Sequence, residues 1–320
     1  ADAQHVTGAG SSFIYPAMAV WAQKYYEKTT VEVNYQPMGS GGGVRAIETG
    51  TVAFAATDEP LLQTELTKRH LLQAPMLIGG NVPVIHLGGA KPNDVVLNGT
   101  ALADIYLGVI TYWDDPILVK LNPKIQLPHR MIIPVHRADG SGTTFNFTSY
   151  LSSVSTDWQK KIGAATLVAW PGNGIGAQGN AGVASQVENL PYSIGYVEYA
   201  YAIQNQMVTT QMQNRSGKTV APSAETFVAA ASNARWHANQ GFYQILVNQP
   251  GVKSWPIVAT TFVLVAEKPT SVAERNSALQ FLTWAYQNGA PFVSSLDYVS
   301  IPAVVYQQVF KQWQPLLQQK

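Results

Sequence analysis

The 320-residue sequence contains no cysteine, and only 12% of its residues are charged. The absence of cysteine excludes thiol catalysis, cysteine-ligated zinc and disulfide bonds. Because 20 Lys and Arg balance 19 Asp and Glu without a block of like charge, the sequence does not favour a nucleic-acid partner. Apolar runs such as 131–135 are far shorter than the roughly 20 residues that cross a bilayer. We therefore expect a soluble chain without membrane insertion.

Strand and helix patterns alternate in the first third of the chain. Apolar residues recur every three or four positions over 13–25, which predicts a helix, and alternate over 31–35, which predicts a strand. A short helix is predicted over 44–49 and a second strand over 52–56. This order is typical of an α/β fold in which helices cover both faces of a sheet.

Two segments with extended, strand-like sequence patterns, the first interrupted by glycine and proline, indicate that the chain crosses between two lobes. A chain of this length can form one or two domains. The first segment contains the glycine and proline residues of 79–83, and the second leads into an apolar run at 262–265. We predict a discontinuous lobe I (1–80 and 259–320) and a lobe II (84–255), joined by hinge segments at about 79–86 and 255–261.

Three clusters rich in glycine, serine and threonine stand directly before helical patterns, at 7–13, 39–43 and 139–144. Helix starts expose unpaired backbone N–H groups and a partial positive charge, and glycine lets a ligand approach the backbone closely. One such cluster is commonly an ordinary helix cap. Three of them on a two-lobed scaffold favour a site for an oxyanion.

Two charged residues accompany these clusters. Arg137 precedes Ser141 by four positions, and a guanidinium can form paired hydrogen bonds with phosphate or carboxylate. A salt bridge with Asp139 is the alternative, and both can hold because that pairing would orient the guanidinium. Asp58 would repel an anion unless the ligand carried a proton, so it would select a protonated oxyanion. Capping of the following turn is the alternative for Asp58.

Five runs of the sequence carry a resemblance to a known family. They are 7–13, 34–44, 56–60, 136–145 and 194–201, and they resemble, in order, motifs of the phosphate-binding proteins of bacterial phosphate-specific (Pst-type) ABC importers. The similarity covers essentially the whole chain. It implies a type II periplasmic-binding-protein fold, in which each lobe is a central sheet flanked by helices and the lobes close on a dehydrated phosphate.

For the first lobe the resemblance implies four binding residues. Ser12 would donate through its hydroxyl and Phe13 through its backbone N–H, both at the first helix start. Ser40 would donate through its hydroxyl and its N–H. Asp58 would accept the proton of the phosphate, which would exclude sulfate.

For the second lobe the resemblance implies a cationic and a backbone contribution. Arg137 would pair with a phosphate oxygen, while Asp139 would hold the guanidinium in place without touching the ligand. Ser141, Gly142 and Thr143 would complete the cradle.

The sequence departs from the family's pattern at two places. The sequence has Ser11-Ser12 where the family commonly has Ala-Thr, and we expect little loss because the second hydroxyl is kept. Glu59 follows Asp58 where relatives often carry a small residue. Strand alternation directs Glu59 away from Asp58, so we do not expect it to contact the ligand.

The resemblance also implies the setting in which the chain works. We expect a periplasmic, monomeric protein that delivers phosphate to a membrane permease, with no cofactor, no bound metal and no enzymatic activity. The polar start at Ala1 fits a mature chain from which a signal peptide has been removed.

Two alternatives belong to other functional classes. The run Gly174–Gly179 matches the G-x-G-x-x-G dinucleotide pattern, with Glu198 about 20 residues further on. Additional glycines on either side favour an irregular surface loop instead. A phosphomonoester hydrolase is the enzymatic rival, but His136, Asp139 and Ser141 lie too close together in the sequence to form a serine–histidine–aspartate relay.

Overall fold

The computed structural model describes residues 4–320, and the chain divides into two compact units. Unit 1 contains the chain up to residue 78 together with 235–245 and 260–320, and unit 2 contains 79–234 and 246–259. Both units combine β-strands with helices, which confirms the predicted α/β class. Ala1, on which the expected signal-peptide removal depends, lies outside the described residues.

The strands within residues 4–320 range from two to fifteen residues. In chain order they are β1 His5–Gly10, β2 Glu32–Gln36, β3 Phe54–Thr57, β4 Leu71–Ile85, β5 Val96–Leu97, β6 Ile133–Arg137, β7 Ile175–Ala177, β8 Ser193–Glu198, β9 Val208–Thr209, β10 Gln211–Gln213, β11 Thr219–Val220, β12 Val258–Ala266 and β13 Val299–Ser300.

The helices that the structure describes are all too short or too polar to cross a membrane. In chain order they are α1 Tyr15–Thr29, α2 Ser40–Glu48, α3 Gln63–Arg69, α4 Gly99–Leu107, α5 Pro116–Leu121, α6 Gly142–Val154, α7 Thr156–Lys161, α8 Gly179–Asn189, α9 Tyr199–Gln204, α10 Ala224–Ala231, α11 Val272–Asn288, α12 Ala290–Val293 and α13 Ala303–Leu317, with short 3₁₀ turns at Ala238–Gln240 and Ser294–Leu296.

The sheet of unit 1 brings the ends of two parallel strands to one edge. β1 pairs in parallel with β2 on one side and with β3 on the other, and β12 runs antiparallel beyond β3. Gly10, the last residue of β1, is in register with Ala56 of β3. The residues that follow β1 and β3 therefore emerge at the same edge, where ligands commonly bind in α/β folds.

The main sheet of unit 2 repeats this arrangement with other strands. β6 lies between β8 and β7 and is parallel to both, while β8 is antiparallel to β4. Arg137 at the end of β6 is in register with Ala177 at the end of β7. The helices α6 and α8, which follow these two strands, consequently begin at one edge. A smaller sheet has the order β11, β10, β5.

The segment 235–245 belongs to unit 1, whereas lobe II was expected to include it. Phe242 is fully buried, and the Gln73 side-chain amide donates to the carbonyl oxygen of Gly241 at 2.9 Å. The Gln312 amide donates to the carbonyl oxygen of Ala238 at 3.0 Å. The local sequence pattern gives no indication of these long-range contacts. The chain thus changes unit after residues 78, 234, 245 and 259, and the hinge segments stay a prediction.

The glycine-rich stretch at the start of α2 is helical, although it was expected to precede the helix. The predicted helix began at Val44, but α2 begins at Ser40. A Cβ atom on Gly43 would lie 2.5 Å from the Gly10 Cα and 2.8 Å from the Ala9 carbonyl oxygen. Glycine is unfavourable within helices, yet here it lets α2 pack directly against the backbone of β1.

Replacing Gly43 with alanine tests this close packing. Because the new Cβ would meet backbone atoms, we expect Gly43→Ala to lower the free energy of unfolding by about 1–3 kcal/mol in urea titrations. Gly182→Ala in α8 is the control, since its Cβ would make only ordinary contacts at 3.5 Å. The control should gain about 1 kcal/mol of stability from helix propensity. A Gly43→Ala protein as stable as the control would contradict the packing account.

Candidate functional site

The turn after β1 places two serines in the interior of unit 1. Gly10 has a φ of 136°, and a Cβ there would lie 2.0 Å from the Ala56 carbonyl oxygen, so this position requires glycine. The N–H of Ser11 then donates to that same oxygen at 2.9 Å. Ser11 and Ser12 are both buried. With α1 beginning at Tyr15, they lie just before the helix, close to the predicted position.

Asp58 is the buried carboxylate of unit 1, with 2% of its surface exposed. Its Oδ1 accepts hydrogen bonds from Ser11 Oγ at 2.7 Å and from Thr261 Oγ1 at 2.6 Å. The Ser11 hydroxyl also lies 2.8 Å from Asp58 Oδ2. Both carboxylate oxygens of Asp58 therefore lie within hydrogen-bonding distance of a hydroxyl group.

Ser11 is more deeply involved in this cluster than the sequence indicated. Besides donating to Asp58, its Oγ accepts the backbone N–H of Phe13 at 3.0 Å. That N–H was assigned to the ligand from the resemblance, and in this structure it contacts Ser11 Oγ. The hydroxyl of Tyr35 donates to the Ser11 carbonyl oxygen at 2.6 Å. Ser11 therefore links the start of the first helix to the carboxylate.

Ser40 completes what we call the unit 1 cluster, which consists of Ser11, Ser12, Phe13, Ser40 and Asp58. Ser40 is the first residue of α2, and its Oγ accepts the backbone N–H of Asp58 at 3.0 Å. A hydroxyl that accepts one bond still has its own hydrogen to donate. Its backbone N–H belongs to the first turn of the helix, where N–H groups have no acceptor within the helix.

Glu59 is partly buried and has other electrostatic neighbours. Burial raises the pKa of Glu59, and the negative charge of Glu65 raises it further. Glu59 in turn contributes to the raised pKa of Tyr243, after the larger effect of burial on that tyrosine.

Arg137 supplies a buried cation at the end of β6 in unit 2. Its Nε donates to Asp139 Oδ1 at 2.7 Å and its Nη2 donates to Asp139 Oδ2 at 2.6 Å, which is a paired, charge-assisted arrangement. The guanidinium side chain is 1% exposed. The backbone N–H of Arg137 donates to the hydroxyl of Tyr196 at 3.0 Å, and that hydroxyl also hydrogen-bonds Thr144 Oγ1 at 2.7 Å. The salt bridge that the sequence left open is therefore formed.

Asp139 has a second anchor in addition to the guanidinium. Its Oδ1 accepts the backbone N–H of Gly179, the first residue of α8, at 3.3 Å. Burial by itself raises the pKa of Asp139, but the hydrogen bonds and charge of Arg137, with the Gly179 N–H, outweigh burial and hold the pKa below its usual range.

The start of α6 completes the unit 2 cluster, defined as Arg137, Asp139, Ser141, Gly142 and Thr143. Ser141 is the N-cap, and its Oγ accepts the N–H of Thr144 at 3.0 Å, which leaves its hydroxyl hydrogen to donate. Gly142 and Thr143 are the first two residues of the helix, so their backbone N–H groups have no acceptor within the helix. All three residues are buried.

Three residues that support these clusters were not singled out from the sequence. Thr261 lies 203 positions after Asp58, Tyr196 lies 59 after Arg137, and Asn180 donates through its side-chain amide to Thr143 Oγ1 at 3.0 Å. Tyr196 was interpreted only as part of an aromatic packing region. No local motif connects residues this far apart, so only the fold could reveal them.

Each of the two clusters contains groups that can form hydrogen bonds with an oxyanion. They contain N–H and hydroxyl donors, a guanidinium and two carboxylates, of which Asp139 is paired with Arg137. The Nδ1 of His136 lies 3.1 Å from the Arg137 carbonyl oxygen, and its ring stacks on Trp170. Burial lowers its pKa, although the contact with that carbonyl opposes the shift. No group of side chains within residues 4–320 has the composition of a metal site.

The glycine-rich segment 174–179 is ordered, and the expectation of an irregular surface loop is wrong. β7 occupies Ile175–Ala177, and α8 begins at Gly179. A Cβ on Gly174 would lie 2.9 Å from the Pro134 carbonyl oxygen, so glycine allows this strand to approach β6. The structure does not support the dinucleotide alternative. The backbone N–H of Gly179 donates to Asp139, and Glu198, which would contact the ribose, is fully buried.

Comparison with known proteins extends this description. A family model described as the PBP superfamily domain matches residues 1–288. The phosphate-binding protein PstS of Haemophilus influenzae is 48% identical over 319 residues, covering 100% of this chain and 95% of that protein. PstS of Pasteurella multocida is 47% identical over 315 residues, covering 98% and 90%. A solved phosphate-binding protein of Stenotrophomonas maltophilia has a TM-score of 0.70 at 18% identity, covering 97% of this chain and 94% of that one.

The structural similarity at this low identity concerns the fold, and it confirms the predicted type II binding-protein class. The sequence similarity goes further: the chain belongs to the PBP superfamily and, within it, to the family of the phosphate-binding protein PstS. The family predicted from the sequence motifs is thereby confirmed. The names of these relatives denote binding proteins, so the family is one of binding proteins and not of enzymes.

The lowered pKa of Asp139 predicts how stability depends on pH. Since folding lowers this pKa, Asp139 stabilises the folded chain above its unfolded pKa of about 3.9, and that stabilisation is lost as the pH falls through the folded value. We expect the stability difference between the wild type and Asp139→Asn in urea to be largest near pH 7 and to shrink below about pH 4.

Glu225→Gln provides the control, because Glu225 forms only an exposed pair with Lys253. Its difference from the wild type should stay close to zero across the same pH range. A difference for Asp139→Asn that does not change with pH would contradict the assigned coupling to Arg137.

Proposed function

We propose that this chain binds inorganic phosphate through the residues of both clusters and delivers it to the permease of a phosphate-specific ABC importer. The observation that carries the proposal is the buried Arg137–Asp139 pair beside the first turn of α6. There a guanidinium, two early helix N–H groups and the hydroxyls of Ser141 and Thr143 occur together. The identity of 48% to a relative named as a phosphate-binding protein supports the same ligand.

In unit 2 the proposed roles follow from the donor groups that the hydrogen bonds within the protein leave available. Arg137 binds a phosphate oxygen with the part of its guanidinium that Asp139 does not occupy. Ser141 donates its hydroxyl hydrogen, Gly142 its backbone N–H, and Thr143 both kinds of donor. A Kd of about 1 μM needs roughly 8 kcal/mol, and a handful of charge-assisted hydrogen bonds at about 1.5–3 kcal/mol each can supply it after the costs of binding.

In unit 1 the proposed roles provide both donors and one acceptor. Ser12 and Ser40 donate through their hydroxyls, and Phe13 donates its backbone N–H, which would then be shared with or released from Ser11 Oγ. Asp58 accepts the proton of the phosphate. Its oxygens already accept hydrogens from the hydroxyls of Ser11 and Thr261, and the proposed role asks them to accept the phosphate proton in the same way.

The biological setting is proposed on the same similarity. We propose a periplasmic location and a monomeric state. Neighbouring folds include a solved phosphate ABC transporter substrate-binding protein from Clostridium perfringens, which has a TM-score of 0.68 at 17% identity. The closure of the two units on phosphate stays a prediction.

Removing the guanidinium tests the proposal directly. We expect Arg137→Ala to weaken phosphate binding about 100-fold in calorimetric titrations, because a buried charge-assisted contact is lost. Arg130→Ala is the matched control, since Arg130 is an exposed arginine of the same unit that lies over the Tyr192 ring. If both variants bind phosphate as the wild type does, Arg137 is not part of the site.

Asp58→Asn tests selectivity. An amide can donate to an unprotonated oxygen, so we expect this variant to bind sulfate, which carries no proton at neutral pH, and to lose discrimination by about tenfold or more. Competition of sulfate with phosphate at pH 7.5 measures the ratio of the two affinities. Glu59→Gln, a change of the adjacent carboxylate, should leave the ratio unchanged. Full selectivity in Asp58→Asn would mean that another group recognises the proton.

A further inference from the structure

Three hydroxyls in the two clusters, those of Ser40, Ser141 and Thr143, accept a hydrogen bond from the protein. Ser40 Oγ accepts a backbone N–H from Asp58, and Ser141 Oγ accepts one from Thr144. Thr143 Oγ1 differs because its donor is a side chain, the amide of Asn180. A hydroxyl has a single hydrogen, so each of these oxygens, once it accepts from the protein, can direct that hydrogen to another acceptor.

The orientation of the Asn180 amide is determined by the backbone. The N–H of Glu198 lies 2.8 Å from one end of this amide, and a backbone N–H can only donate, so that end must be Oδ1. The other end is then the NH₂ group, which can only donate. It lies 3.0 Å from Thr143 Oγ1, so the threonine oxygen must accept. Both Asn180 and Glu198 are fully buried, which protects this chain of bonds from competing water.

We propose that Asn180 is a positioning residue that makes the Thr143 hydroxyl a donor toward the bound anion. This inference rests on the proposed function and deepens it. In the described part of the chain the Thr143 hydroxyl has no second hydrogen-bond partner, so its hydrogen is directed to the ligand. An acceptor at position 180 would reverse this and turn the threonine lone pairs toward the negatively charged oxygens.

The start of α8 therefore supports the unit 2 cluster at two adjacent positions. Gly179 donates its backbone N–H to Asp139, the partner of Arg137, and Asn180 donates its side-chain amide to Thr143. This assigns a role to the segment whose glycine spacing resembled a dinucleotide motif. Its helix start contacts side chains of the same unit that belong to the proposed phosphate site.

Asn180→Asp tests the inference with almost no change in shape. One carboxylate oxygen can still accept the Glu198 N–H, but the other now accepts the hydrogen of the Thr143 hydroxyl. We expect the phosphate Kd to rise about 10- to 100-fold, which corresponds to the loss of one hydrogen bond to a charged group. Asn189→Asp adds the same charge at the other end of α8, where the amide only contacts Ser185, and should leave the Kd unchanged.

A double-mutant cycle separates the hydroxyl effect from simple charge repulsion. Thr143→Val removes the hydroxyl while keeping the shape of the side chain. If Asn180 acts through Thr143, Asn180→Asp must cost clearly less affinity in the Thr143→Val background than in the wild type. Equal losses in both backgrounds would overturn the inference, and so would a Thr143→Val protein that binds phosphate normally. If the aspartate variant does not fold, Asn180→Ala replaces it in the same cycle.

The cycle also distinguishes the failure of this inference from the failure of the proposed function. Wild-type protein that does not bind phosphate contradicts the proposed function and removes the basis of the inference with it. Phosphate binding by the wild type, together with additive effects of the two substitutions, leaves the function intact and rejects only the role of Asn180.

Discussion

The organisation of unit 2 depends on the need to compensate one buried positive charge. A guanidinium that is removed from water is tolerated only when it is paired and hydrogen-bonded, and leaving such a charge without its partner typically costs about 3–5 kcal/mol. Asp139 meets this need for Arg137 with two short bonds. The pair is held in turn by Gly179 and Tyr196, so the ends of β6 and β8 and the start of α8 all contribute to one arrangement.

Unit 1 meets a different constraint, which is the close approach of three backbone segments. Gly10 lies against Ala56, and Gly43 lies against Gly10, at distances that exclude any larger side chain. This packing brings the start of α2 and the residues after β1 and β3 together. Ser11 and Ser40 are consequently both within hydrogen-bonding distance of Asp58. The polar cluster is therefore a consequence of glycine packing as much as of its own hydrogen bonds.

The sequence was informative where a site residue and its partner lie in one short motif. Arg137, Asp139 and Ser141 occur within five positions, and the Arg137–Asp139 salt bridge that the sequence offered forms shortly before Ser141, the N-cap of α6. Local pattern was misleading where packing overrides propensity, as at Gly43 and in the segment 174–179. It could not reveal Thr261 or Asn180, because their contacts join residues 203 and 37 positions apart. The α/β class follows from local periodicity, whereas the inclusion of 235–245 in unit 1 depends on tertiary contacts.

The proposal that this chain binds phosphate and excludes sulfate is tested most directly by calorimetric titration of phosphate-stripped protein at neutral pH, first with phosphate and then with sulfate. The account predicts one phosphate bound per chain and no measurable heat from sulfate, since sulfate carries no proton that Asp58 could accept. Binding of two phosphate ions per chain, equal binding of sulfate, or no binding of either anion would contradict it.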